Sequence, residues 1–89
     1  MKTVYKYLIT PQNSKIKMLQ GAVIVCVHEQ NGLIYIWAEV DTELPTEERE
    51  FAIYGTGENM PDEIFESFLY LGTVFIDKGA LVYHVYERM

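Results

Sequence analysis

The chain has a single cysteine, Cys26, in 89 residues. That excludes an internal disulfide, and it excludes a cysteine-rich zinc site. Within an apolar, strand-like run, Cys26 reads as an inert packed thiol. Basic residues are scarce too: seven Lys and Arg stand against thirteen Asp and Glu, for a net charge of −6. So acidic a chain is poorly suited to phosphate backbones, which argues against non-specific nucleic-acid binding. No apolar run approaches the ~20 residues a membrane helix needs. Lys2 and Lys6 sit among tyrosines rather than ahead of an apolar signal-peptide core. The expectation is a cytoplasmic protein with no membrane partner. Linkers, internal repeats and low-complexity segments are missing as well, so residues 1–89 read as a single β domain.

What the chain has in quantity is aromatic and β-branched residues, with seven Tyr, four Phe and one Trp. Such residues fit pleated, half-buried surfaces. The clearest stretch runs from Gly21 to Asp41, GAVIVCVHEQNGLIYIWAEVD. Asn31-Gly32 between two β-rich runs predicts a hairpin with a type I′ turn, whose central residues both need φ > 0. A two-residue loop sets Gln30 opposite Leu33, His28 opposite Tyr35, Cys26 opposite Trp37 and Ile24 opposite Glu39. Alternation then places Val23, Val25, Val27, Ile34, Ile36, Ala38 and Val40 on one aliphatic core face. Ile24, Cys26, His28, Tyr35, Trp37 and Glu39 form the other.

Thr3–Ile9 and Lys15–Leu19 read as further strands, separated by a turn over Thr10–Ser14. Pro45 closes a loop before a strand over Glu48–Tyr54, with Arg49, Phe51 and Ile53 on one side. Pro61 followed by Asp62 and Glu63 opens one short helix to about Ser67. Tyr70–Ile76 and Ala80–Tyr86 form a second hairpin about Asp77-Lys78-Gly79. The spacing predicts a mainly β protein, a small antiparallel barrel or two-sheet sandwich of six to seven strands with at most one short helix near 61–67.

Candidate chemistry is thin. Gly55-Thr56-Gly57 could curl its amides into an anion nest, but no dinucleotide fingerprint or P-loop surrounds it, and a strand-ending turn accounts for it equally well. His28 and His84 lack metal-ligand spacing. Cys26 and His28 lie about 6–7 Å apart along one strand, with no third orienting group. The carboxylates of residues 43–66 read as a solvated acidic rim. The expectation is therefore no enzyme and no cofactor. The aromatic set is the strongest candidate: Tyr35 and Trp37 share a hairpin face, and Tyr54, Tyr83 and Tyr5 or Tyr7 are candidates to join them. If the aliphatic face fills the interior, the Tyr35/Trp37 face needs a partner chain, a small ligand or the helix as cover.

Taken in order, Tyr5-Lys6-Tyr7, Met18 to Gly21-Ala22, Gln30-Asn31-Gly32, Trp37-Ala38, Val40-Asp41, Arg49 with Phe51, Tyr54-Gly55-Thr56-Gly57, Pro61-Asp62, Leu71-Gly72-Thr73 and Gly79 to Val85 resemble a family of short phage- and prophage-encoded proteins, a domain of unknown function. The resemblance runs nearly end to end. The family pattern has His-Pro-Ile after the Gly-Thr-Gly where this chain has Glu58-Asn59-Met60, so no role for that histidine carries over. The resemblance implies an accessory protein in a bacterial host cytoplasm and supplies no catalytic residues. The expected function is binding, either of a host protein or of a second copy through Tyr35, Trp37 and Tyr54. The alternative is a small anionic ligand, such as a nucleotide, held by Gly55, Thr56 and Gly57 with Arg49.

Overall fold

The computed structural model describes residues 1–11 and 15–89. Its elements follow as β1 (Lys2–Ile9), β2 (Lys15–Leu19), β3 (Val23–Gln30), β4 (Leu33–Asp41), β5 (Thr46–Gly55), α1 (Asp62–Ser67), β6 (Phe68–Ile76) and β7 (Leu81–Arg88). The strands pair antiparallel in two sheets, β1-β4-β3 and β2-β5-β7-β6. Neither sheet closes on itself, so of the two architectures the spacing allows, the chain adopts the sandwich. The turn expected over Thr10–Ser14 lies in part outside the described residues.

The first hairpin turns where Asn31-Gly32 requires. Both residues are left-handed, with φ of 55° and 79°, and Glu29 Oε2 accepts the Gly32 N–H at 2.6 Å. The expected register holds from Gln30↔Leu33 through Cys26↔Trp37. It then breaks. A bulge at Val25 sets Ile24 opposite Ala38 and Val23 opposite Glu39. A one-residue shift turns every later side chain over. Ile24, expected on the outer face, packs against the core. Val23 and Val25, expected in the core, are 57% and 51% exposed.

The interior is the remainder of that aliphatic face set against the second sheet. Ile34, Ile36, Ala38 and Val40 of β4 are buried with Met18, Phe51, Val74 and Val85. The second hairpin closes through four residues, 77–80, with Asp77, Lys78 and Gly79 all at positive φ. It also carries a bulge, between Tyr70 and Gly72. At that point β6 approaches β3: a Cβ added to Gly72 would lie 3.7 Å from Val27 Cβ. That is ordinary van der Waals contact, so one methyl group fits. Gly72→Ala should raise stability by up to about 1 kcal/mol, because alanine loses less backbone freedom on folding. Gly72→Leu must displace Val27 and should cost about 1–3 kcal/mol. Urea unfolding of the two variants checks both signs.

Candidate functional site

The outer face of the three-stranded sheet follows from its register. Val4, Glu39 and Val23 form one cross-strand row, Lys6, Trp37 and Cys26 the next, and Leu8, Tyr35 and His28 a third. Tyr35 and Trp37 are half-buried, with ring centroids 5.9 Å apart and planes tilted by 56°. Aromatic pairs favour such tilted geometry. Lys6 crosses this pair: its ammonium lies 4.6 Å from the Tyr35 ring centroid and donates to Gln30 Oε1 at 2.7 Å. Around the rings Val4, Leu8, Val23 and Leu33 are 51%, 43%, 57% and 45% exposed. The Val25 bulge enlarges this patch by turning Val23 outward. Helix α1 packs on β6 and β7, so it does not cover the Tyr35/Trp37 face.

The aromatic residues expected to gather there are divided. Tyr54 pairs with His84 on the other sheet, Tyr83 packs against the core, and Tyr5 lies opposite buried Ala38, on the inner side. The acidic stretch from Glu43 to Glu66 likewise belongs to β5, its flanking loops and α1. The acids near Trp37 are Glu39 and Asp41.

The Gly-Thr-Gly turn uses its own polar groups. The Gly55 N–H donates to Glu58 Oε1 at 2.8 Å, the Glu58 N–H to the Gly55 carbonyl at 3.1 Å, and the Thr56 N–H to the Val82 carbonyl at 3.1 Å. The Glu58 carboxylate thus takes the Gly55 N–H that an external anion would need. A Cβ on Gly55 would sit 3.3 Å from that oxygen, and Gly57 turns with φ of 86°.

Arg49 lies six residues back along β5, about 20 Å away at strand rise. It faces inward, only 18% exposed, and forks onto Glu87 with contacts of 2.5 and 2.9 Å. Its third contact is the Ala22 carbonyl, 2.6 Å away, in the connection leading into β3. The Glu87 hydrogen bonds hold the guanidinium above its ordinary pKa, against the opposing effect of burial. The fold brings Tyr35 together with Trp37. It does not bring Arg49 or Tyr54 to them, nor Arg49 to the Gly-Thr-Gly turn.

One cluster is missing from the sequence reading. His84 Nε2 lies 2.8 Å from Thr56 Oγ1, and its Nδ1 lies 3.0 Å from Thr73 Oγ1, which in turn bonds the Tyr70 hydroxyl. A neutral imidazole donates at one nitrogen and accepts at the other, and each hydroxyl can do either, so the four groups can form one connected hydrogen-bond chain. The signal was the loop length. A three-residue connection sets Thr73 against Tyr83, whereas residues 77–80 set it against His84. His28 and His84 lie on different sheets, and among the described residues no group of three or more His, Cys, Asp and Glu is placed to hold a metal ion.

Removing one partner of a mostly buried ion pair strands the other. Arg49→Ala should therefore cost about 2–4 kcal/mol, since it leaves Glu87 and the Ala22 carbonyl unpaired. The Arg49→Met/Glu87→Leu double variant should cost less than the two single changes together. Urea unfolding of the full cycle measures the coupling.

Among the described residues no helix is long and apolar enough to cross a membrane. No curated protein and no solved structure matches the chain. Residues 1–89 do match one family throughout, and the chain belongs to it: Domain of unknown function (DUF7352).

Proposed function

We propose that this protein acts by binding another protein through the outer face of β1-β4-β3, and that it has no catalytic role. The observation that carries this reading is the uncovered Tyr35–Trp37 pair with four exposed aliphatic side chains around it. Soluble monomers seldom leave a contiguous apolar patch of this kind open. Its composition is that of a contact centre: a tilted aromatic pair, aliphatic neighbours, and a rim of Lys2, Lys6, Gln30, Glu39 and Asp41. The resemblance to short phage and prophage proteins extends the proposal to a bacterial host protein as partner, met in the host cytoplasm. A nucleotide is the weaker reading, because the Gly55 and Thr56 amides and the guanidinium it would need are already hydrogen-bonded.

The test compares three forms of the protein as baits in host lysate. Wild type and Phe75→Ala, altered at an exposed site on the other sheet, should retain the same captured protein. Trp37→Ala should lose it while keeping its far-ultraviolet spectrum, by at least ~30-fold in Kd for a hot-spot aromatic. Trp37 is the only tryptophan, so its emission should also shift when the purified partner is added. Equal capture by all three forms would sink the reading.

A further inference from the structure

The sandwich has four edge strands, β1, β3, β2 and β6. Native sheets guard such edges with bulges, short strands, charges or covering elements. β3 is bulged at Val25 and lies against β6. β6 carries the bulge between Tyr70 and Gly72, and β2 is five residues long. β1 differs: it has eight residues in unbroken register with β4.

Which groups face its free side follows from one hydrogen bond. The Thr42 N–H donates to the Met1 carbonyl at 2.8 Å, continuing the β1–β4 ladder. Along a strand, backbone groups alternate between its two edges. Residues 3, 5, 7 and 9 therefore bond β4, while Lys2, Val4, Lys6 and Leu8 turn N–H and C=O toward the free edge. A lysine on an edge strand ordinarily guards it. Lys6 does not, because its side chain crosses the Tyr35 ring to Gln30, away from that edge. On the inner side Tyr5 remains 42% exposed, its ring 6.3 Å from Tyr7.

We infer that β1 pairs antiparallel with β1 of a second copy, about a two-fold axis through Tyr5, joining two three-stranded sheets into one of six strands. Charge and the number of outward groups satisfied together select the register. Centring on Val4 sets Lys2 against Lys6, and centring on Lys6 sets that residue against itself. Centring on Tyr5 opposes Lys2 with Leu8 and Val4 with Lys6, so no like charges meet directly. The same register makes those pairs hydrogen-bonded ones and satisfies every outward group of the four residues. Tyr5 then faces its own copy at a non-hydrogen-bonded position, Cα atoms about 4.5 Å apart, and the two Tyr5–Tyr7 pairs merge. The pairing does not depend on what the outer face binds.

Sedimentation of the wild type should give twice the 10.3 kDa chain mass. Val4→Pro removes an N–H that bonds nothing among the described residues of one copy, so the mass should halve while the circular dichroism and a cooperative unfolding transition are kept, the midpoint falling only by the lost contribution of association. Cross-linking tests the register independently. In a Cys26→Ser background, Tyr5→Cys should form a disulfide-linked dimer on mild oxidation and Lys2→Cys should not. A monomeric wild type would overturn the inference. So would a dimer that survives Val4→Pro and links through Lys2→Cys but not Tyr5→Cys, or one that dissociates only in Trp37→Ala.

Discussion

Ile36 and Ala38 in the middle of β4 have no exposed surface, and neither do Met18 and Val85 in the other sheet. Every other feature of the molecule is arranged around that contact. Two sheets have four faces, and burying one pair of them leaves two faces over. The four-stranded sheet covers part of its outer face itself. Ile64 of α1 and Phe68 are buried, and Arg88 lies over the Phe68 ring while bonding Glu50 and Glu63. Its His84 joins hydroxyls at both ring nitrogens. The three-stranded sheet has no such covering element among the described residues, and its outer face carries the aromatic pair. Binding is proposed there because packing leaves that face unfinished.

Much of this was legible from residues with one physical reading. Asn31-Gly32 specifies left-handed backbone at two consecutive positions, and the turn and its adjoining register followed. Pro61 with two acids marked the only helix described, Asp62–Ser67. The bulge at Val25 was not legible, and the reason is local. Val23 to Val27 is apolar at every position, so the alternation that would reveal a slip carries no contrast there. Ala80 misled in a similar way. It looks like the first residue of a strand, yet it belongs to the turn, where its N–H bonds the Asp77 carbonyl at 3.0 Å. One residue in that loop decided whether Thr73 faced Tyr83 or His84.

Arg49 shows where residue-by-residue reading stops. Alternation with Phe51 and Ile53 already pointed its side chain inward, but its partner lies 38 positions away. No local pattern names Glu87. An arginine beside a glycine-rich turn suggests an anion site. The same arginine facing the interior needs a permanent carboxylate to offset its desolvation. The Glu87 fork supplies that, and the Ala22 carbonyl extends the contact to the segment entering the other sheet. What reads as a ligand-binding charge from sequence becomes a fastening between layers.

Lys6 links the exposed face to the exposed edge. Its ammonium could either stand at the border of β1 or lie across the sheet, and the structure sets it over Tyr35 against Gln30. In that position its stem covers part of an aromatic ring while its charge stays hydrated. Among the described residues, the choice leaves the middle of the β1 border without a projecting cation, Lys2 standing at its end. A two-fold axis normal to the sheet keeps like faces on one side, so two copies joined along β1 would present two Tyr35–Trp37 pairs in the same direction. A partner bearing two sites would then meet the second pair at a high effective concentration. The disposition of one lysine thus bears on both how the protein pairs and how strongly its face can hold what it meets.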